Sequence, residues 1–246
     1  MANPLGGQKD NISREGMNIY VKQKEIAITV GIGSKLFEIW MWLWGVIPAI
    51  ICFAAKTPIY IPVIVLVVGA LPGIIFQVKK VKAKNALDTQ MQKIQHDASL
   101  VGNYYQKKLA IIQDLVKIVD KSIDFDKSTY ETIAAYRGGS TPQSGAQLNE
   151  YAQNVDKLSR NINIALENYP NLESHRHIED LMQQVKYLNS EIVAAREVYN
   201  DSVYMWNRMV YRWPTMMIVA AKNGYTTMMP FTADADVIER ASGSVL

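Results

Sequence analysis

Residues 36–55 read LFEIWMWLWGVIPAIICFAA, and residues 59–78 read IYIPVIVLVVGALPGIIFQV. Each stretch is 20 residues long. At about 1.5 Å per residue a helix of that length reaches roughly 30 Å, the thickness of a bilayer's hydrocarbon core. Residues 36–78 hold two charges, Glu38 and Lys56. So much apolar chain exceeds what a domain of this size can bury. The stretches from Leu36 to Ala55 and from Ile59 to Val78 are therefore candidate membrane spans. A secretory signal peptide fits poorly, because the apolar run starts late and two runs follow one another.

The link Lys56-Thr57-Pro58 suits a tight helical hairpin whose two ends lie on one side. Pro48, Pro62 and Pro72 are expected to kink or unwind the spans locally, which membrane helices tolerate. Trp40, Trp42 and Trp44 cluster near one interface and Tyr60 near the other, in the manner of an aromatic belt; generic lipid-facing bulk reads the same way. Lys79, Lys80, Lys82 and Lys84 follow the second stretch, Lys22, Lys24 and Lys35 precede the first, and the tip carries only Lys56. The positive-inside rule then puts both ends in the cytoplasm of a multi-pass cell-membrane protein, with the four following lysines at the lipid headgroups. A single broken span, which would put the ends on opposite sides, or a re-entrant hairpin is the alternative. Residues 1–35 read as a polar tail leading into a short interfacial helix over 17–35. Cys52, the one cysteine, reads as a small apolar side chain facing lipid or the other helix and forms no internal disulfide.

Beyond residue 84 the chain is rich in charge and periodic in its apolar positions. One stripe is Tyr105, Leu109, Ile112, Val116, Val119 and Ile123; a second is Leu148, Tyr151, Val155, Leu158, Ile162 and Ala165. The third runs Ile178, Leu181, Val185, Leu188, Ile192, Ala195, Tyr199, Ser202, Trp206, Met209 and Trp213. Alternating threes and fours give a period near 3.5, the seam of long packed helices. The last helix is predicted over about 172–213, capped by Asn171 after Tyr169-Pro170 and ended by Pro214. A short helix over 215–222 closes on Asn223-Gly224, and a further helix over 127–137 leads into the loop 138–146. The expected fold is all-α: a transmembrane helical hairpin (36–78), then an antiparallel bundle of three or four long helices (79–231), then a fraying tail (232–246).

The segment ENYPNLES (167–174), followed by EIVAAREVYNDSVYMWN (191–207) and YRWP (211–214), resembles the C-terminal signature of the LemA family. The matching residues are Glu167, Tyr169, Pro170, Leu172, Ile192, Arg196, Tyr199, Asn200, Asn207 and Pro214, with Gly224-Tyr225 and Phe231 downstream. LAIIQDLVKIV (109–119) is similar to the family's upstream helix, though less specific. The likeness covers about 85–235. It implies an antiparallel bundle of long helices attached to an N-terminal membrane segment, with no established active site. Some members of the family are linked to envelope stress or to magnetosome membranes. Two departures stand out. Asn189 occupies a position usually held by Glu, and the family usually has one span where this chain has two candidates.

No catalytic or metal-binding pattern emerges. His175 and His177 point to different sides of a regular helix, and His96 is remote. Asp234 and Asp236 lack the rest of a calcium loop, and Gly31-Ile-Gly33-Ser-Lys35 lacks the order and context of a phosphate loop. No nucleophile motif is present, and no cofactor is expected. A net charge of +3, with basic residues gathered beside the apolar stretches, points to anionic lipid rather than nucleic acid. The one polar set singled out is Arg196, Tyr199 and Asn200 on one helix face, with Glu167 as the carboxylate near the turn, read as a register clamp or a partner contact. The expected function is a non-catalytic scaffold at the membrane. Its partners would be the bilayer and an unnamed membrane or cytoplasmic protein, and self-association is compatible with the seams. The alternatives are a membrane-associated enzyme using the cluster around Arg196, or a small transporter or channel component, which the lack of a central charge in the spans disfavours.

Overall fold

The computed structural model describes residues 25–119, 130–131, 133–134, 145–168 and 176–231. Those residues form an all-α protein. Six helices are named in chain order: α1 (Ile32–Leu43), α2 (Val46–Ala54), α3 (Tyr60–Val119), α4 (Gly145–Glu167), α5 (Arg176–Val210) and α6 (Thr215–Lys222). No strand occurs among the described residues, only an isolated antiparallel bridge between Ala27 and Thr226.

Local chemistry explains the breaks. Pro48 lies three residues into α2, where its ring would crowd the carbonyl of Trp44, so the first apolar stretch breaks at Trp44-Gly45 and bends by 43°. α2 ends in a six-to-one backbone bond from Thr57 N–H to the Cys52 carbonyl (3.4 Å) with Lys56 N–H on the Phe53 carbonyl (3.1 Å). This Schellman closure puts Lys56 at φ 53, a left-handed conformation usually given to glycine. Gly224 fills the same place after α6 at φ 67, with Tyr225 N–H on the Ala220 carbonyl (3.0 Å), as the Asn223-Gly224 pair predicts.

Between Tyr60 and Val119 nothing stops the helix. The second apolar stretch and the first charged stripe are thus one 60-residue helix, α3, with Pro72 inside it. Lysines and alanines after Val78 are good helix formers, so the change from apolar to charged composition does not break the backbone. Residues 25–31, expected at the end of an interfacial helix, are not helical; β-branched Ile26, Ile28, Thr29 and Val30 and then Gly31 favour extended chain there. Gly145 and Ala146, read as loop, open α4. α5 ends at Val210 rather than near Trp213, because a residue before proline avoids the helical region. The 127–137 helix apart from four of its residues, the loop to residue 144, the Tyr169-Pro170 turn with Asn171, and the tail 232–246 lie outside the described residues.

The chain divides into two compact units. The described part of the first lies within Ile94–Ser202 plus 229–231; the second is Glu25–Lys93 with Val203–Met228. In the first, the predicted stripes are buried: Tyr105, Leu109, Ile112, Val116 and Val119 on α3, Leu148, Tyr151, Val155, Leu158 and Ile162 on α4, and Ile178 to Tyr199 on α5. Each buried aliphatic side chain stabilises the unit by about 1.5–3 kcal/mol before entropy is counted. α4 buries Leu166 rather than the half-buried Ala165. On α5 the stripe moves from Met209 to Val210 after Trp206, the drift expected when a 3.6-residue helix leaves a 3.5-residue seam.

In the second unit, Trp206 is fully buried, stacks 5.4 Å from Tyr225 and donates from Nε1 to the Thr226 carbonyl (2.8 Å). Residues 26–28 bond to 225–227: Ile28 N–H to the Tyr225 carbonyl (3.1 Å) and Thr227 N–H to the Ile26 carbonyl (2.9 Å). α1 and the break after it meet α3 at four places. Phe37 packs edge-on to Phe76 (5.6 Å), Glu38 pairs with Lys80 (3.1 Å), Trp42 covers Gly73, and Gly45 lies against Gly69. A Cβ built on Gly45 would fall 2.6 Å from Gly69 Cα, so backbone meets backbone there.

Candidate functional site

In the first unit three helices converge on Asp156 of α4. Lys108 of α3 donates from Nζ to Oδ1 (2.7 Å), and the Tyr105 hydroxyl donates to Oδ2 (2.9 Å). Arg196 of α5 brings Nη2 to 3.6 Å from Oδ2, a looser ion pair. The Arg196 guanidinium stacks between the rings of Tyr105 (5.4 Å) and Phe231 (5.2 Å). The Lys108 side chain is only 4% exposed, while those of Arg196 and Asp156 are 26% and 31% exposed. Burial, followed by the Asp156 charge, pushes the Tyr105 phenol far above its ordinary range, so it stays a neutral donor.

Arg196 therefore lies on the inner flank of α5, and the carboxylate that meets it is Asp156. Glu167 sits exposed at the end of α4, and Tyr169 and Pro170 lie outside the described residues. Asp156 and Lys108 were not singled out in the sequence because each looks like an ordinary charge beside a stripe. Their signal is position: Lys108 is three residues after buried Tyr105, and Asp156 follows buried Val155. A second polar pair lies within the core, where Ser202 donates to Asp97 Oδ2 (2.6 Å) and both residues are buried. Ser202 occupies a seam position, and a hydroxyl there requires such a partner. The exposed Asn189 lies away from this set; Glu191, two residues on, accepts a hydrogen bond from Tyr104 (3.2 Å), which raises that phenol's pKa.

Asn200 and Asn207 act as backbone forks. In the first unit, Asn200 donates from Nδ2 to the Phe231 carbonyl (3.3 Å) and accepts from Phe231 N–H at Oδ1 (2.7 Å). Tyr199 adds a bond to the Met229 carbonyl (3.4 Å), and its ring lies 5.0 Å from Phe231. In the second unit, Asn207 makes the same paired bonds to Met228, both 2.9 Å. Each fork satisfies one residue of non-helical chain as a neighbouring strand would. Asn207→Ala should lower stability by about 2 kcal/mol, since it strands an amide and a carbonyl on half-buried chain. Thermal unfolding of the full chain in detergent, followed by circular dichroism, checks this; an unchanged midpoint would remove the fork's structural role.

Elsewhere in the second unit Tyr225 donates to Asp88 Oδ1 (2.6 Å). That bond, then burial, pushes the Tyr225 phenol up to about 12; the same bond, against burial, holds the Asp88 carboxyl below its usual range. Pro214 precedes α6, and Trp213 stacks 5.2 Å from Phe37. Among the described residues no group of three or more His, Cys, Asp or Glu side chains could hold a metal ion.

These contacts assign structural work to the residues of the signature, from Arg196 and Tyr199 through Asn200 and Asn207 to Phe231. No curated protein matches the chain. The family model described as the LemA family matches residues 97–243, more than half the chain, running from the buried Asp97 through both forks. With that match behind the helix, the fork residues and the aromatic that stacks on Arg196, the chain belongs to the LemA family.

Proposed function

We propose that this protein is a non-catalytic helical scaffold anchored in the cell membrane by its apolar helices, with both ends and the helical domain on the cytoplasmic side. The observation that carries the reading is the density of exposed large apolar side chains on α1, α2 and the first part of α3. From Ile32 to Val81 they include Trp40, Trp42, Trp44, Ile50, Phe53, Val63, Leu66, Val67 and Ile75. Water would oppose such a surface, and a hydrocarbon core accepts it. α3 contains a window long and apolar enough to cross a membrane, and α1 with α2 passes the same test as a bent pair.

A hairpin is supported by the pairing within the second unit. Phe37 with Phe76, Glu38 with Lys80, Trp42 with Gly73 and Gly45 with Gly69 all have residue numbers adding to between 113 and 118. An antiparallel register of that kind turns near residue 57, inside Lys56-Thr57-Pro58. The Glu38–Lys80 pair then marks one membrane face, with Lys79, Lys82 and Lys84 beside it at the headgroups. Lys56 lies 18 residues beyond Glu38, about 27 Å of helix, near the opposite face. Lys56 at the tip and the lysines at the ends support cytoplasmic termini.

Reporter fusions at residue 1 and residue 246 should both give cytoplasmic signals, and the protein should resist alkaline extraction from membranes. Reporters on opposite sides would defeat the hairpin, and release by alkali would defeat the anchor. The 43° bend at Trp44-Gly45 favours a second topology, a re-entrant loop. A cysteine at the position of Lys56, in a chain carrying Cys52→Ala, separates the two: labelling by an impermeant maleimide from outside means two crossings, and protection means re-entry. The scaffold role rests on the Asp156 network, in which Lys108 and Tyr105 donate from α3 to α4 and so hold those helices together. Co-purification from mild detergent should return a reproducible protein partner; a small molecule bound at Arg196 would favour the enzymatic alternative.

A further inference from the structure

The second unit carries ten Lys and Arg residues against three Asp and Glu, although the whole chain is only +3. Two of its cations have carboxylate partners, Lys80 with Glu38 and Lys84 with Asp88. Lys35, Lys79, Lys82, Lys93, Arg208, Arg212 and Lys222 are exposed and pair with no carboxylate among the described residues. A surplus of this size, uncompensated within the unit, calls for an anionic surface.

Its placement is specific. The corner between α5 and α6, about 130 residues from the lysines that follow the apolar part of α3, is brought to them by a chain of contacts. Trp213 stacks on Phe37 (5.2 Å), Phe37 on Phe76 (5.6 Å), and Lys80 lies 5.8 Å over the Phe76 ring. Trp213 is 46% exposed although its ring partner belongs to the foot of the apolar helices, and Arg208 and Arg212, five residues and one residue before it, are exposed. A half-covered tryptophan next in sequence to an arginine, at the end of an apolar surface, is the arrangement bilayer interfaces favour, ring at headgroup level and guanidinium on phosphate. The aromatic-proline step of the signature thus does more than end α5.

Resting on the membrane-anchored reading, we propose that Arg208, Arg212 and Trp213 form a docking surface for anionic phospholipid headgroups, a second contact with the bilayer surface beside Lys79 and Lys82. It holds the end of α5 at the membrane surface.

The test uses the full chain in nanodiscs of equal phosphatidylcholine and phosphatidylglycerol. Photoreactive benzoylphenylalanine is placed at the position of Trp213, of Ile64 on the apolar part of α3, or of exposed Tyr187 in the first unit, and lipid adducts are identified by mass spectrometry. The expected result is lipid adducts at 213 and 64 but not at 187. Those at 213 should be enriched in phosphatidylglycerol on the order of five-fold, and the enrichment should be lost in R208A/R212A. Adducts at 64 with none at 213, or adducts at 213 without anionic preference, overturn the docking surface and leave the anchor standing. Adducts at neither position overturn the anchor and the docking surface together.

Discussion

Asp156→Ala is expected to lower the stability of the full chain by about 3 kcal/mol. Three donors depend on that carboxylate: Lys108 Nζ at 2.7 Å, the Tyr105 hydroxyl at 2.9 Å and Arg196 at 3.6 Å. Lys108 decides the size. Its side chain is 4% exposed, so without Asp156 an ammonium is left in the interior with no counter-charge. Stranding a buried charge costs about 3–5 kcal/mol, and the lower end applies because Asp156 itself is partly open to water. Arg196→Ala should cost less, about 1–2 kcal/mol, because its ion pair is long, its head reaches solvent and the main loss is stacking on Tyr105 and Phe231. The double change Lys108→Met with Asp156→Leu should recover most of the loss, since it removes both charges together. Denaturant melts in a fixed detergent give the ranking. If Arg196→Ala proves as costly as Asp156→Ala, the centre of the network lies at the arginine instead.

Gly69→Leu should be as damaging, at about 3 kcal/mol, the upper end for overpacking. Most overpacked sites yield because a neighbouring side chain swings away. Here a Cβ on either glycine would strike the other's backbone, and helices cannot move apart there without losing Phe37 on Phe76 and Glu38 on Lys80. Gly33→Leu is the control. A Cβ at Gly33 meets nothing within 4 Å, so this change should be neutral, or stabilising through helix propensity by about 0.5–1 kcal/mol. Equal thermal midpoints for the two variants in the same micelle would show that the close approach of Gly45 and Gly69 is not needed for stability.

Composition and periodicity by themselves determined the helical class, the two apolar stretches, the three buried stripes and the short helix Thr215–Lys222 with its glycine closure. Those features are local: an apolar spacing of three and four, a proline or a left-handed glycine acts within a few residues, so its consequence can be read where it is written. The need for a carboxylate or a set of carbonyls beside Arg196 was also legible, because a guanidinium on an inner flank is costly alone. Which carboxylate answers it was not, since Asp156 lies 40 residues away on another helix and only the packing of α3, α4 and α5 makes it the neighbour. The same holds for Ser202 with Asp97, for the forks of Asn200 and Asn207 on non-helical chain, and for Trp213 on Phe37. Tertiary structure decided these pairs because their free energy comes from removing two distant groups from water into one place, and sequence distance carries no record of that meeting.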